Sequence, residues 1–200
     1  MGELRDRERT RRALLHAAHQ EFYEKGFSGG SIDGILQRTK YSRGALFNLF
    51  RSKKELGYAV VDDVIRGMIH AMWIEPLQGK EQIIEPLLHH FREGIEVLKR
   101  QRPILGCPLN NLAQEMGPRD ELFRAKTEAV FHAWTDSFTA SVARSQRSGE
   151  LRNDLNPAIV ATHLVALIEG VLSLARNSQE PGVLDVGADS LESYLEGLRR

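Results

Sequence analysis

Arg43, Gly44, Ala45, Phe47 and Asn48 form one short run in this 200-residue chain, and their types suit contact with DNA bases. If the run is helical, these residues share its outer face, and a narrow face of that kind fits a major groove. A second candidate chemistry sits at Cys107. Pro108 at a helix's first position would make Cys107 the N-cap, where the helix dipole favours a thiolate, and Arg100 and Arg102 stand nearby in sequence. The competing reading is a buried small hydrophobe, the commonest fate of a free cysteine.

The first run must be positioned by short helices. Ser31, Ser42 and Ser52 each precede a stretch whose first-turn N–H groups a hydroxyl can accept, and Glu55 would complete a capping box with Ser52. Three helix starts so close together leave no room for strands. Ile32, Ile35 and Leu36 give the first of these helices an apolar face, and Leu46 and Phe50 do the same for the second. Gly26-Phe-Ser-Gly-Gly30 follows a helix and lacks both Walker spacing and a preceding strand, so it is expected to be a helix end and turn.

Charge separates the chain more than its total suggests. It carries 27 Lys and Arg against 27 Asp and Glu, but residues 1–54 hold 12 against 6, leaving 15 against 21 for the rest. A basic head on an acidic body points to a polyanion held by the head alone. Arg5, Arg7, Arg9, Arg11 and Arg12 crowd the start, either as an arm that reaches phosphates or as a solvated segment interleaved with Glu3, Asp6 and Glu8.

Residues 9 to 61 resemble the DNA-binding domain of the TetR family of bacterial transcription regulators, in its AcrR-like form. The resemblance rests on Ala17-Ala18, Phe22, Glu24-Lys-Gly-Phe27, Ser31-Ile-Asp33, Ser42-Arg-Gly-Ala-Leu-Phe47 and Phe50-Arg-Ser-Lys-Lys-Glu-Leu56. It implies that Arg43, Gly44, Phe47 and Asn48 face base edges, Arg43 bonding guanine O6 and N7 and Asn48 pairing with adenine. It implies further that Ser31, Tyr41, Ser42, Arg51, Lys53 and Lys54 hold phosphates. Asp33 has two readings, an acceptor from a cytosine amino group or a carboxylate placed by the helix dipole. The family usually has tyrosine where Phe47 stands and often histidine where Leu49 stands. Phe47 therefore cannot donate to a phosphate, and its contact shrinks to a sugar or a thymine methyl.

The whole chain is expected to be all-α, a helix-turn-helix DNA-binding domain at 1–52 and a helical effector-binding and dimerisation domain at 53–200. Expected helices run from Lys53 to about Trp73, stopped by Pro76, from about Lys80 to Arg100, and from Pro108 onward. Others run from Pro118 to about Gln146, from Pro157 to about Asn177 with Asn156 as cap, and from about Asp185 to Arg200. The helix from Pro157 carries Val160, Leu164, Leu167, Ile168, Val171, Leu172, Leu174 and Ala175 on more than one face, which suits either a central helix or a homodimer contact. The resemblance implies pairing through the last two helices, with a palindromic operator as partner.

Gly106-Cys-Pro108, Phe131, Trp134, Gly149-Glu-Leu151 and Glu169-Gly170 resemble the C-terminal domain of a TetR subgroup with Gly-Cys at this position. Some members of it respond to electrophiles through the cysteine. Met68, Met72, Trp73, Phe91, Met116, Phe131 and Trp134 could instead line an apolar effector pocket, with Glu115 or Glu169 as acidic partner for a cationic ligand. Catalytic readings have little support. No histidine pair forms a metal signature, no HExxH occurs, no cofactor is expected, and an enzyme or scavenger using Cys107 as nucleophile has no base beside it in sequence. From the charged start no secretory leader is expected, Thr162, His163 and Glu169 interrupt the most apolar stretch, and a lone cysteine fits the expectation of a reducing cytoplasm with no membrane contact.

Overall fold

The computed structural model describes residues 2–200, so Met1 of the expected head lies outside the described residues. Those residues form α-helices with no strand, apart from one isolated bridge between Leu151 and Arg199. Packing divides them into two compact units. One holds the chain up to Met68 together with Pro108–Ala129, and the other holds Ile69–Cys107 and Val130–Arg200.

The first unit is built on α1 (Gly2–Gly29), whose Leu14, Leu15, Ala18 and Phe22 are buried. The helix breaks at Gly26, where φ is +75° and a side chain would be strained. Then come α2 (Ile32–Gln37), α3 (Arg43–Phe47) and α4 (Lys53–Ala59). All three expected caps are present. Ser31 Oγ accepts from Gly34 N, Ser42 Oγ from Ala45 N, and Ser52 Oγ from Glu55 N. The return bond of the capping box falls one residue early, because Glu55 accepts from the Arg51 N–H at 2.8 Å. Ile35, Leu46, Phe50 and Leu56 fill the space between these helices.

Beyond α4 the chain stays helical to Leu77, but in alternating windings. A π-helical stretch covers Val60–Ile65, α5 covers Arg66–Ile69, a second π stretch covers His70–Ile74, and a 3₁₀ turn covers Glu75–Leu77. Pro76 therefore does not stop a single α-helix as expected. It sits in the first turn of the 3₁₀ segment, where its missing N–H would have had no partner. The first unit is completed by α7 (Pro108–Met116) and residues 121–129 of α8 (Glu121–Ser148), whose buried Phe123 meets Phe27 and Tyr58 at ring-centroid distances of 4.8 and 4.6 Å.

In the second unit α6 (Ile84–Arg100) starts later than Lys80, because its end is capped from a distance: Glu150 accepts from the N–H groups of Ile83 and Ile84 at 2.7 and 3.3 Å. Asn156 caps α9 (Pro157–Ser178) by accepting from Ala158 N and Ile159 N. α10 (Gly182–Glu196) packs against α9 and α6, and Gly187 makes that approach possible, since a Cβ there would lie 2.2 Å from Val171 Cγ1. α9 is long and apolar enough to cross a membrane by length and composition, and half of that window is buried within the protein.

Candidate nucleic-acid interface

Ser31, Ser42, Arg43, Gly44, Asn48, Arg51 and Lys54 are exposed, as is Phe47 at 41%, while Tyr41, Ala45 and Lys53 are half-buried. Arg43 and Phe47 stand one turn apart on α3, as do Gly44 and its C-cap Asn48, so these four share the outer side while Leu46 faces in. Gly44 has no structural reason to be glycine. A Cβ there would meet only Ser42 Oγ, at 3.8 Å, although glycine in a helix costs ~1 kcal/mol against alanine. Space is left where another molecule's backbone could approach. Asp33, in the first turn of α2, forms an ion pair with the Arg43 guanidinium, a partner that neither earlier reading of Asp33 contained.

A residue the sequence did not single out braces this surface. Glu21 is 1% exposed; its carboxylate accepts from Ser31 N at 3.2 Å, Lys25 Nζ at 2.9 Å and Arg38 Nε at 3.1 Å. Burial alone would push its pKa up, but those bonds outweigh it and leave the carboxyl below the usual range. Glu21 thus holds α2 at its N-cap and just past its end. Gly34 follows from the same contact, since a Cβ there would lie 2.2 Å from Glu21 Oε1. The available signal was an acidic residue embedded in the apolar face of α1, next to Phe22.

The basic residues divide by environment. Lys53 turns inward, its Nζ 4.7 Å from the Phe27 ring centroid and donating to Ser28 O at 3.3 Å, and burial lowers its pKa despite Glu115 and Glu21. Lys54 pairs with Asp120 at 2.9 Å, which raises its pKa. The early arginines belong to α1: Arg9 pairs with Asp6 at 2.8 Å, and Arg11 pairs with Asp63 and lies 5.8 Å from the Phe50 ring centroid.

The expected effector residues are divided between the two units. Met68 and Met116 belong to the first unit, whereas Met72, Trp73, Phe91, Cys107, Phe131 and Trp134 belong to the second, where Met72 is 41% exposed. Within the second unit, Trp73 stacks on Trp134 at 5.3 Å and meets Phe91 at 6.1 Å, and Phe131 stacks on Trp134 at 6.5 Å. The Trp134 indole N–H is fully buried without an acceptor, as is His90 Nε2, whose ring meets Trp73 edge-on. The Glu115 carboxylate accepts from the backbone N–H groups of Phe27 and Ser28, one on each oxygen. Glu169, 8% exposed, has no nitrogen or oxygen donor on its carboxylate. Burial pushes its pKa up to about 7, and the buried Cys107 thiol beside it favours the ionised form. Sequence spacing of 62 positions hid that neighbour. Among the described residues no group of three or more His, Cys, Asp or Glu could hold a metal ion.

Residues 14–60 match the family model described as bacterial regulatory proteins, tetR family, and residues 84–191 match the tetracyclin repressor-like C-terminal domain. The chain is 30% identical over 192 residues to an uncharacterised HTH-type transcriptional regulator from the lacX 3′ region of Lactococcus lactis subsp. lactis, covering 94% of this chain and 93% of that one. It is 25% identical over 163 residues to the HTH-type transcriptional repressor DhaR of Mycobacterium sp. strain GP1, covering 82% and 80%. The crystal structure of a TetR transcriptional regulator from Chloroflexus aurantiacus superposes with a TM-score of 0.84 at 25% identity, covering 98% of both chains.

Proposed function

The chain belongs to the tetR family of bacterial regulatory proteins, and from that premise we propose how this member reads DNA and is released from it. It is a DNA-binding transcription regulator that works as a homodimer. In our reading residues 1–52 bind the operator and residues 53–200 dimerise and receive the effector. Arg43, Gly44, Phe47 and Asn48 meet base edges, and Ser31, Tyr41, Ser42, Arg51 and Lys54 hold phosphates. Lys53 contributes its charge while bracing the end of α1. The observation that carries the reading is the exposed α3 stripe with a glycine that packing does not require.

Two heads about one DNA turn apart would read a palindrome. Dimerisation through α9 and α10 is supported by the exposed Ile159, Leu174 and Val186, at 67%, 63% and 66%. The protein acts as a cytoplasmic repressor. Release follows occupation of the Trp73, Phe91, Phe131 and Trp134 cluster by a ligand whose acceptor reaches the Trp134 N–H, or modification of Cys107. Either event must favour a conformation with lower operator affinity.

The test is fluorescence anisotropy of the dimer with the intergenic DNA beside its own gene, in competition with scrambled duplex at moderate salt. Preference for the intergenic DNA supports the reading, and equal binding overturns it. Repeating the titration with Cys107→Ser and a thiol electrophile separates the two release routes, because release that persists in this variant excludes the thiol.

A further inference from the structure

We propose that Asp33 is a specificity-determining residue that acts through Arg43. This inference rests on the base-reading role of Arg43 proposed above and adds a residue that positions it.

Arg43 opens a five-residue helix, so no earlier turn of α3 lies beneath its long side chain. In the structure the guanidinium is oriented by the ion pair from Asp33 on α2, made by Nη2. The two side chains are 54% and 72% exposed, and pairs so open to water contribute little to folding. The pair's own stability therefore does not account for its geometry, although a carboxylate in the first turn of α2 also gains from the helix dipole. An unpaired carboxylate there would repel phosphates. Its charge is tolerable beside a polyanion only while Arg43 neutralises it.

The pairing has two consequences for recognition. A free arginine loses rotamer freedom when fixed on a base, and a side chain already oriented loses less. The guanidinium carries five N–H donors, so one bond to Asp33 leaves enough for the two that guanine O6 and N7 accept. On the wrong base the guanidinium cannot swing to a nearby phosphate without leaving Asp33 as a bare negative charge at the DNA surface. Asp33 thus favours the cognate contact and penalises the alternatives. The preceding geometry makes this possible: Glu21 and the Ser31 cap fix α2, and with it the position from which Asp33 reaches across the turn.

The experiment uses the full-length dimer and a duplex enriched from a random pool by the wild-type protein. Affinities are measured for that duplex, for versions with each guanine replaced, and for a scrambled sequence. The proteins are wild type, Asp33→Asn, Asp33→Glu, Arg43→Ala, and Asp33→Asn combined with Arg43→Ala. The expected result is that Asp33→Asn leaves the melting temperature unchanged and holds or strengthens scrambled binding. It lowers selectivity for one guanine by about tenfold, Asp33→Glu restores part of it, and Asp33→Asn adds no loss in the Arg43→Ala background. Unchanged selectivity in Asp33→Asn, or an equal loss in both backgrounds, overturns the proposal while the role of Arg43 stands. If Arg43→Ala keeps every base preference, or no duplex is enriched, the base-reading role itself fails.

Discussion

Glu115, near the end of α7, holds the backbone N–H of Phe27 at 2.7 Å across 88 positions of sequence, and its second oxygen takes the Ser28 N–H at the same distance. The break in α1 at Gly26 leaves these amides without helical acceptors. The clamp fixes the turn that leads into α2.

Replacing Glu115 with alanine is expected to cost about 1–3 kcal/mol, the usual loss when such amides go unsatisfied. Burial tends to raise this carboxyl's pKa, but the bonds from Ser28 and Phe27 and the charge of Arg119 bring it below its ordinary value of 4.5. A lowered folded pKa means that the contribution is present above the unfolded value and fades as pH falls through the folded one. Urea unfolding at pH 7 and at progressively lower pH should show the gap between wild type and Glu115→Gln closing in acid. A constant gap would contradict the assignment.

Gly44→Ala separates folding from binding. Because a Cβ there finds open space, the substitution should leave stability unchanged or raise it by up to ~1 kcal/mol. Operator affinity should nevertheless fall by about tenfold, on the order of one lost base contact. Calorimetry and anisotropy on the same preparation check both. Unaltered affinity would show that nothing approaches this glycine closely.

Glu169 gives a pH signature of opposite sense. Its pKa is raised from 4.5 to about 7 in the folded protein, so folding is favoured in acid, and the stability is lost as pH rises through about 7. Glu169→Gln stays neutral throughout. It should match the wild type near pH 4.5 and exceed it by up to about 3 kcal/mol at pH 8. Equal stability of the two proteins at pH 8 would mean that the carboxyl carries no burial penalty.

Leu174→Glu places a charge on an exposed apolar position of α9. Sedimentation should show a shift from dimer to monomer, with operator affinity falling alongside because single heads bind separately. A dimer of unchanged strength would move the interface elsewhere.

Much of this architecture was legible in local sequence because its determinants are local. Ser31, Ser42, Ser52 and Asn156 announce helix starts through bonds only two or three residues long. Features that depend on distant partners were not legible. Ile84 starts α6 because Glu150 caps it, Glu115 is consumed by α1, and Cys107 meets Glu169 across 62 positions. In the interface, the exposure of Arg43 and Asn48 followed from helical spacing around Leu46. The roles of Glu21 and Gly34 did not, since each is explained by the other only once α1 and α2 are folded together. Lys53 shows the same limit: its position suggests a phosphate ligand, and only packing reveals that Phe27 lies under its ammonium.

The most direct test of base reading by α3 is dimethyl sulfate protection, which reports guanine N7 in the major groove. Wild-type dimer on its enriched duplex should protect symmetry-related guanines about one DNA turn apart, and Arg43→Ala should lose protection at one guanine in each half-site while keeping the rest of the footprint. Guanines that stay reactive beneath the wild-type protein, or protection unchanged in Arg43→Ala, would contradict the account.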